Sequence, residues 1–218
     1  MAEVIIRHFQ QTDRPYVREL AWNTAFLGEP ASDFFDDKEI LVDILTSYFT
    51  DYEPGSCFIA ESDNKVVGYL LGAKDTAAMD KVAELKIAPR LLAKSLVNGV
   101  FFKKKNIVLA FRLLASFLKG EFKMPDFSSD YPATLHINLE KNFRDMGIGS
   151  KLISFYLEYL AKEKIPGVYL PTMSDKASGF FQKQGFNLLH KGRRSYFRHI
   201  LYRDVPLYVY GKRLQMQK

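Results

Sequence analysis

The chain has 218 residues, with 31 lysines and arginines against 25 aspartates and glutamates, a formal net charge of +6. A hydrophobic share of 47% and an aromatic share of 14% exclude a disordered chain and support a packed globular core. A single cysteine and four histidines exclude an internal disulfide and a cysteine–histidine zinc cluster.

Val4–Phe9 reads as a first strand. Thr12-Asp13-Arg14-Pro15 is a helix start, with Thr12 as the expected N-cap and the proline tolerated in the first turn. That helix is expected to run to Phe26, and Gly28-Glu29-Pro30 ends it. A second helix spans Asp36 to Asp51, with Ile40, Leu41, Ile44, Leu45 and Tyr48 on one face. Cys57–Glu61 and Val66–Gly72 are strands joined by the polar turn Ser62-Asp63-Asn64-Lys65, which is a hairpin signal. Cys57 lies in an apolar run and reads as a buried small hydrophobe.

The segment 77–130 breaks the pattern. Helical stretches over Leu91–Phe101 and Ile107–Leu118 flank Lys103-Lys104-Lys105, and apolar residues interleave with many lysines and arginines. We read it as a helical insertion within one domain spanning 1–218. A lid, a membrane-surface helix pair, a dimer contact and plain packing on the core all fit it.

Ala133–Leu139 reads as a strand and Ser150–Lys164 as a long amphipathic helix. Between them stands Arg144-Asp145-Met146-Gly147-Ile148-Gly149. Glycines at a strand-to-helix junction let the backbone approach a ligand, because they carry no Cβ. The helix N-terminus that follows offers unpaired N–H groups and a partial positive charge. Together these form a cradle suited to a pyrophosphate, although glycines that merely ease a tight turn would look the same. Gly167–Leu170 is a short strand, Phe180–Phe186 a helix ending at Gly185-Phe186, and Asn187–Leu189 and Ser195–Ile200 are further strand material. Val205–Tyr210 closes the chain as a strand.

Arg144, Gly147 and Gly149 fit the Arg/Gln-x-x-Gly-x-Gly/Ala loop of the GCN5-related N-acetyltransferases, and Phe180-Phe181-Gln182-Lys183-Gln184-Gly185-Phe186 resembles that family's Phe-Tyr-x-x-x-Gly-Phe segment. The order of elements matches as well, so the resemblance covers roughly residues 3–76 and 131–212. Asp51–Pro54, Gly68–Ala73 and Asp130–Ile137 look closer to a bacterial branch related to the acetyltransferase-like region of O-GlcNAc hydrolases.

The resemblance implies an α/β fold: a mixed, mostly antiparallel twisted sheet flanked by helices and splayed at the cofactor strand. It implies direct acetyl transfer from acetyl-CoA to a primary amine on a small molecule, a lysine or an N-terminus, with no metal. Ile137 and Leu139 would line the pantetheine arm through their backbone. Arg144, Asp145, Met146, Gly147, Ile148, Gly149 and Ser150 would form the pyrophosphate cradle, mostly through main-chain N–H groups. Ser174 falls where many members have a cofactor-touching Asn. Phe181 falls where many have the Tyr that protonates the leaving thiolate, which a phenylalanine cannot do. Another of the 12 tyrosines, such as Tyr169, could replace it. Alternatively water serves, or the protein is a catalytically weak acyl-CoA- or peptide-binding module.

Strand alternation places His136 and Asn138 opposite Leu135, Ile137 and Leu139. His136, with an ordinary pKa of about 6.5, is the candidate catalytic base, ahead of Glu84 and Tyr131, unless it simply packs. Met1–Gln10 carries charges and reads as no secretory leader, and no apolar run reaches the about 18 residues of a membrane span. The expectation is a cytoplasmic protein with no nucleic-acid partner, and the C-terminal strand leaves room for a homodimer.

Overall fold

The computed structural model describes residues 3–214, so the two ends of the expected 1–218 domain lie outside the described residues. Strand β1 (Val4–His8) leads through a short turn into α1 (Arg14–Thr24). The expected cap Thr12 is exposed. Its neighbour Asp13 is buried instead, accepting from the Gln10 N–H at 2.8 Å and from two nitrogens of Arg7 at 2.7 and 2.8 Å. The β1 arginine selects the adjacent carboxylate over the hydroxyl because the charged hydrogen bonds are stronger.

Helix α2 (Lys38–Ser47) is capped by Asp37, which accepts from the Ile40 N–H at 3.1 Å, and it unwinds through a wider turn at Tyr48–Tyr52. Strands β2 (Cys57–Ser62) and β3 (Lys65–Ala73) form the expected hairpin. Asp63 and Asn64 both have positive φ, 49° and 59°, as a two-residue turn of this hand requires. Cys57 is fully buried, and burial pushes its thiol pKa up to about 12.

Three helices follow: α3 (Thr76–Val82), α4 (Ala88–Val97) and α5 (Lys104–Leu118). A π-helical turn at Ala83–Ile87 makes α3 and α4 nearly continuous, so Leu85–Arg90 is helical and Pro89 sits in the first turn of α4. Then come β4 (Ala133–Leu139), α6 (Ile148–Lys162), β5 (Gly167–Thr172), α7 (Asp175–Lys183), β6 (Asn187–Arg194), α8 (Arg198–Leu201) and β7 (Val205–Arg213).

One strand expectation is corrected. Ser195–Ile200 leaves the sheet and turns into α8. Phe197 is drawn into an aromatic cluster, 4.9 Å from Phe26 and 5.1 Å from Phe34 between ring centres. Arg198 pairs with Asp204 at 2.8 Å across the short helix, and Tyr202 turns the chain back with φ of 56°.

The seven strands form one sheet in the order β1-β2-β3-β4-β5-β7-β6, antiparallel throughout except for the β4–β5 pair. One face packs on α6 through Leu152, Ile153, Tyr156 and Leu160. The other packs on α1 through Val17, Leu20 and Ala21, against Ile59, Tyr69 and Leu71. The buried Tyr156 hydroxyl bridges the carbonyls of Thr134 (2.8 Å) and Ala73 (3.1 Å), fastening α6 to the β3–β4 pair. Its ring occupies the space where a Cβ on Gly72 would lie, 2.3 Å away.

Tyr156→Phe keeps the ring and removes the donor. It should cost about 1–2 kcal/mol in urea unfolding, with the dependence on denaturant unchanged.

Candidate functional site

β4 and β5 pair at only two positions, Ala133↔Val168 and Thr134↔Tyr169. Beyond them β5 follows β7 instead, with Leu170, Pro171 and Thr172 opposite Tyr210, Val209 and Tyr208. Pro171 has no N–H to give, so β5 is poorly equipped for a ladder on both edges here. The strands part, and a cleft of about 540 Å³ opens between Leu135–Leu139 on one wall and Leu170–Ser174 on the other. Ala177, Phe180 and Phe181 of α7, the Arg144–Ser150 loop and Thr24–Gly28 after α1 complete the lining.

At the loop end, Asp145 and Gly147 both have positive φ, 64° and 79°, and Gly147 is the N-cap of α6. The first N–H groups of a helix have no partner within it, so this turn presents donors and the positive end of the helix dipole. Space beside Gly147 is open to 4 Å, whereas a Cβ on Gly149 would meet the Phe180 ring at 3.1 Å. Ser150 Oγ accepts from Gln184 Nε2 at 2.8 Å. Lys176 pairs with Asp145 at 2.8 Å, which holds that exposed carboxyl below its ordinary pKa. Lys183 adds a second cation to the lining.

The Arg144 side chain does something the sequence pattern did not suggest. Its Nε donates to the Leu139 carbonyl at 3.1 Å, and Nη2 donates to the Gly28 carbonyl at 2.9 Å. It ties the end of β4 to the loop after α1. Ser174 is the N-cap of α7 and accepts from the Ala177 N–H at 3.3 Å.

Of the residues singled out in the sequence, His136, Ile137, Leu139, Arg144, Asp145, Gly147, Gly149, Ser150, Ser174 and Phe181 line the cleft. Met146 is exposed on the outside of the turn, and Ile148 is 2% exposed within the core. Phe181 is itself buried, in edge contact with Phe180 and Phe186. The neighbouring Tyr210 hydroxyl is fully buried and engaged by Ser178 (2.7 Å) and Gln182 (2.8 Å). Tyr169, Tyr131 and Glu84 are not among the lining residues.

The α1 end holds a polar chain that sequence reading missed. Thr24 donates its only hydroxyl proton to the Leu20 carbonyl at 2.7 Å, and Tyr69 lies beyond it. Asn138 Nδ2 donates to the Tyr69 oxygen at 2.8 Å and approaches His136 Nε2 at 3.2 Å. An amide nitrogen only donates, so His136 Nε2 accepts and the ring carries its proton on Nδ1. The imidazole lies at the floor of the cleft, and burial lowers its pKa from 6.5 to about 4. Only Asn138 was legible beforehand, by alternation; Tyr69 and Thr24 come from β3 and α1.

Residues 115–186 match the family model for acetyltransferases of the GNAT family. The matched span runs from within α5 to just past α7 and so contains both walls of the cleft and the glycine turn. Over that span the chain is similar to the GNAT acetyltransferases.

Among solved structures, a protein called SsHAT is similar over 97% of this chain and 98% of its own, at 19% identity and a TM-score of 0.69. The polyamine N-acetyltransferase of Drosophila melanogaster aligns over 97% of this chain and 100% of its own, at 14% identity and a TM-score of 0.61. A putative acetyltransferase of Salmonella typhimurium, solved with its cofactor acetyl-CoA, aligns over 100% and 97%, at 12% identity and a TM-score of 0.56. These likenesses carry the fold. The resemblance to the branch related to O-GlcNAc hydrolases finds no support among them. Among the described residues, no cluster of metal-ligating side chains is present, and no helix is long and apolar enough to cross a membrane.

The His136 pKa has a consequence for stability. The unfolded chain takes up this proton near pH 6.5, and the folded chain resists until about pH 4. The contribution is therefore full above pH 6.5 and is lost as pH falls towards 4. His136→Gln should lose less stability than the parent across that window, by on the order of 1–2 kcal/mol once solvent reaching the cleft is allowed for. Urea unfolding at both ends of the window checks this, and parallel losses in the two proteins would count against it.

Proposed function

We propose that this protein transfers an acetyl group from acetyl-CoA to a primary amine, by direct attack within the β4–β5 cleft. The parting of β4 from β5 opposite the left-handed Gly147 turn carries the reading. It places an unpaired strand edge, a slot and a helix N-terminus in one line. Acetyl-CoA, when bound, supplies the acetyl group as an activated thioester.

In this reading the N–H groups from Asp145 to Ser150 hold the pyrophosphate, with Lys176 and Lys183 as countercharges. The edge of β4 at Ile137 and Leu139 receives the pantetheine arm where a neighbouring strand would otherwise pair. The relatives named for polyamine and agmatine acetylation use amines as acceptors, and the α1 end of this cleft is where an amine would enter. His136 is neutral at physiological pH, and its Nε2 lone pair is already approached by Asn138. It therefore orients the acceptor, and the amine proton leaves to water. Because the lining contains no tyrosine, water also protonates the departing thiolate.

That same lack of a tyrosine in the lining favours a second reading, an acyl-CoA-binding module with little turnover. Acetyl-CoA hydrolysis and amine acetylation assays separate the two. The reading carries a cytoplasmic location, and a homodimer would form by pairing at the open edge strand β6.

Calorimetric titration with acetyl-CoA tests the cradle. Gly147 needs a residue tolerant of positive φ, which Asn and Asp both are. Gly147→Asn and Gly147→Asp thus strain the backbone alike and differ in charge. The Asp variant should bind acetyl-CoA at least about tenfold more weakly than the Asn variant. Equal affinities, or no binding by the parent, would reduce the turn to a simple corner.

A further inference from the structure

We propose that the α4–α5 hairpin is a peripheral membrane anchor that seats the protein on an anionic lipid bilayer. An ordinary surface helix buries its apolar stripe and exposes its polar one. Helix α5 does the reverse. Its buried positions include Asn106 and Ser116, beside Leu109. Its exposed face carries Ile107, Phe111, Leu114 and Leu118 at spacings of four, three and four residues, with Phe111 66% and Leu118 76% exposed. Helix α4 adds Leu92, Leu96 and Val97, and the connecting turn adds Phe101 and Phe102, the latter 86% exposed. Single exposed apolar residues need no explanation, but a run of them along two helices and their connection does.

Charge identifies the occupant. Between residues 88 and 123 the chain has eight lysines and arginines and one carboxylate, Glu121. Glu121 is occupied, receiving the Ser195 N–H at 2.7 Å and the Ser116 hydroxyl. Lys94, Lys103 and Lys105 pair with Asp43, Asp37 and Asp36, which fastens the hairpin to α2 and the turn before it. Arg90, Lys104, Arg112 and Lys123 have no carboxylate partner among the described residues. A second copy would bring the same cations against them and be repelled. A polyphosphate chain would satisfy the cations and leave the leucines and phenylalanines in water. An anionic bilayer satisfies both, with acyl chains for the protruding side chains and headgroups for the cations. The most exposed positions, Val97, Phe102 and Leu118, protrude and do not line a groove, so the surrounding medium need not be shaped to them.

The inner side of α5 adds a spatial link. Leu109 and Leu113 pack with Phe26, Phe34 and Leu27, and Leu27 lines the α1 end of the cleft. The anchor therefore packs behind the part of the cleft lining that α1 supplies.

The test is co-sedimentation of the full chain with phosphatidylcholine vesicles, with and without about one-third phosphatidylglycerol. Binding should be at least about tenfold tighter to the anionic vesicles. Phe102→Ser with Leu118→Ser, and separately Lys104→Glu with Arg112→Glu, should each weaken it at least about tenfold with unchanged thermal melting. These side chains are exposed, so the variants should fold. Failure to sediment with the anionic vesicles overturns the proposal, as does binding that neither pair of substitutions alters. A dimer in light scattering that the Phe102 and Leu118 substitutions dissolve would also overturn it, by assigning the face to a second copy.

Discussion

The site depends on two strands that start together and then separate. A parallel pair has to be covered on both faces and is normally carried to the strand ends. Here it lasts two residue pairs, because β5 is claimed by β7 while β4 remains bound to β3. The separation leaves a hydrogen-bonding edge without a neighbour inside an otherwise continuous sheet, which would be costly unless a ligand or water filled it. Helices α6 and α7 hold the walls apart from one face. Gly147, the only residue type at ease in that turn with no side chain to project, keeps the mouth of the slot clear.

Around His136 the chemistry is set by hydrogen-bond direction more than by charge. The Asn138 amide nitrogen can only donate, to the Tyr69 oxygen and to His136 Nε2, and that fixes which imidazole nitrogen keeps the proton. A histidine so placed is a fixed dipole, not a titrating group, throughout the physiological range. The aromatic wall formed by Phe180, Phe181 and Phe186 supplies volume and dryness without a proton.

Much of this was legible in the sequence where the determinants are local. The β2–β3 hairpin follows from Asp63-Asn64, and the start of α6 from Gly147, because each turn needs its own residues to take positive φ. The cleft wall from His136 to Leu139 follows from period-two alternation. What escaped depended on distant partners. Thr12 does not cap α1, and the adjacent Asp13 turns its carboxylate to Arg7 of β1 and the Gln10 N–H instead of to the helix. Ser195–Ile200 has good strand composition, yet Phe197 is claimed by two phenylalanines far back in the chain. Tyr69 and Thr24 have no sequence signal linking them to His136. The side chain of Arg144 was the least legible, since its family position suggests the ligand while its hydrogen bonds go to the protein's own carbonyls.

That arginine ties the β4 wall of the slot to the loop after α1. One guanidinium grips the last carbonyl of β4 and the carbonyl of Gly28, which lacks the Cβ that would stand 3.3 Å from it. A ligand that shifts the loop after α1 must pull on β4, and a ligand lying along β4 must stiffen the loop. Occupancy along β4 then alters affinity beside the loop after α1 by the same factor in both directions, as thermodynamic reciprocity demands. Cooperativity between two ligands of the cleft would thus pass through a single side chain.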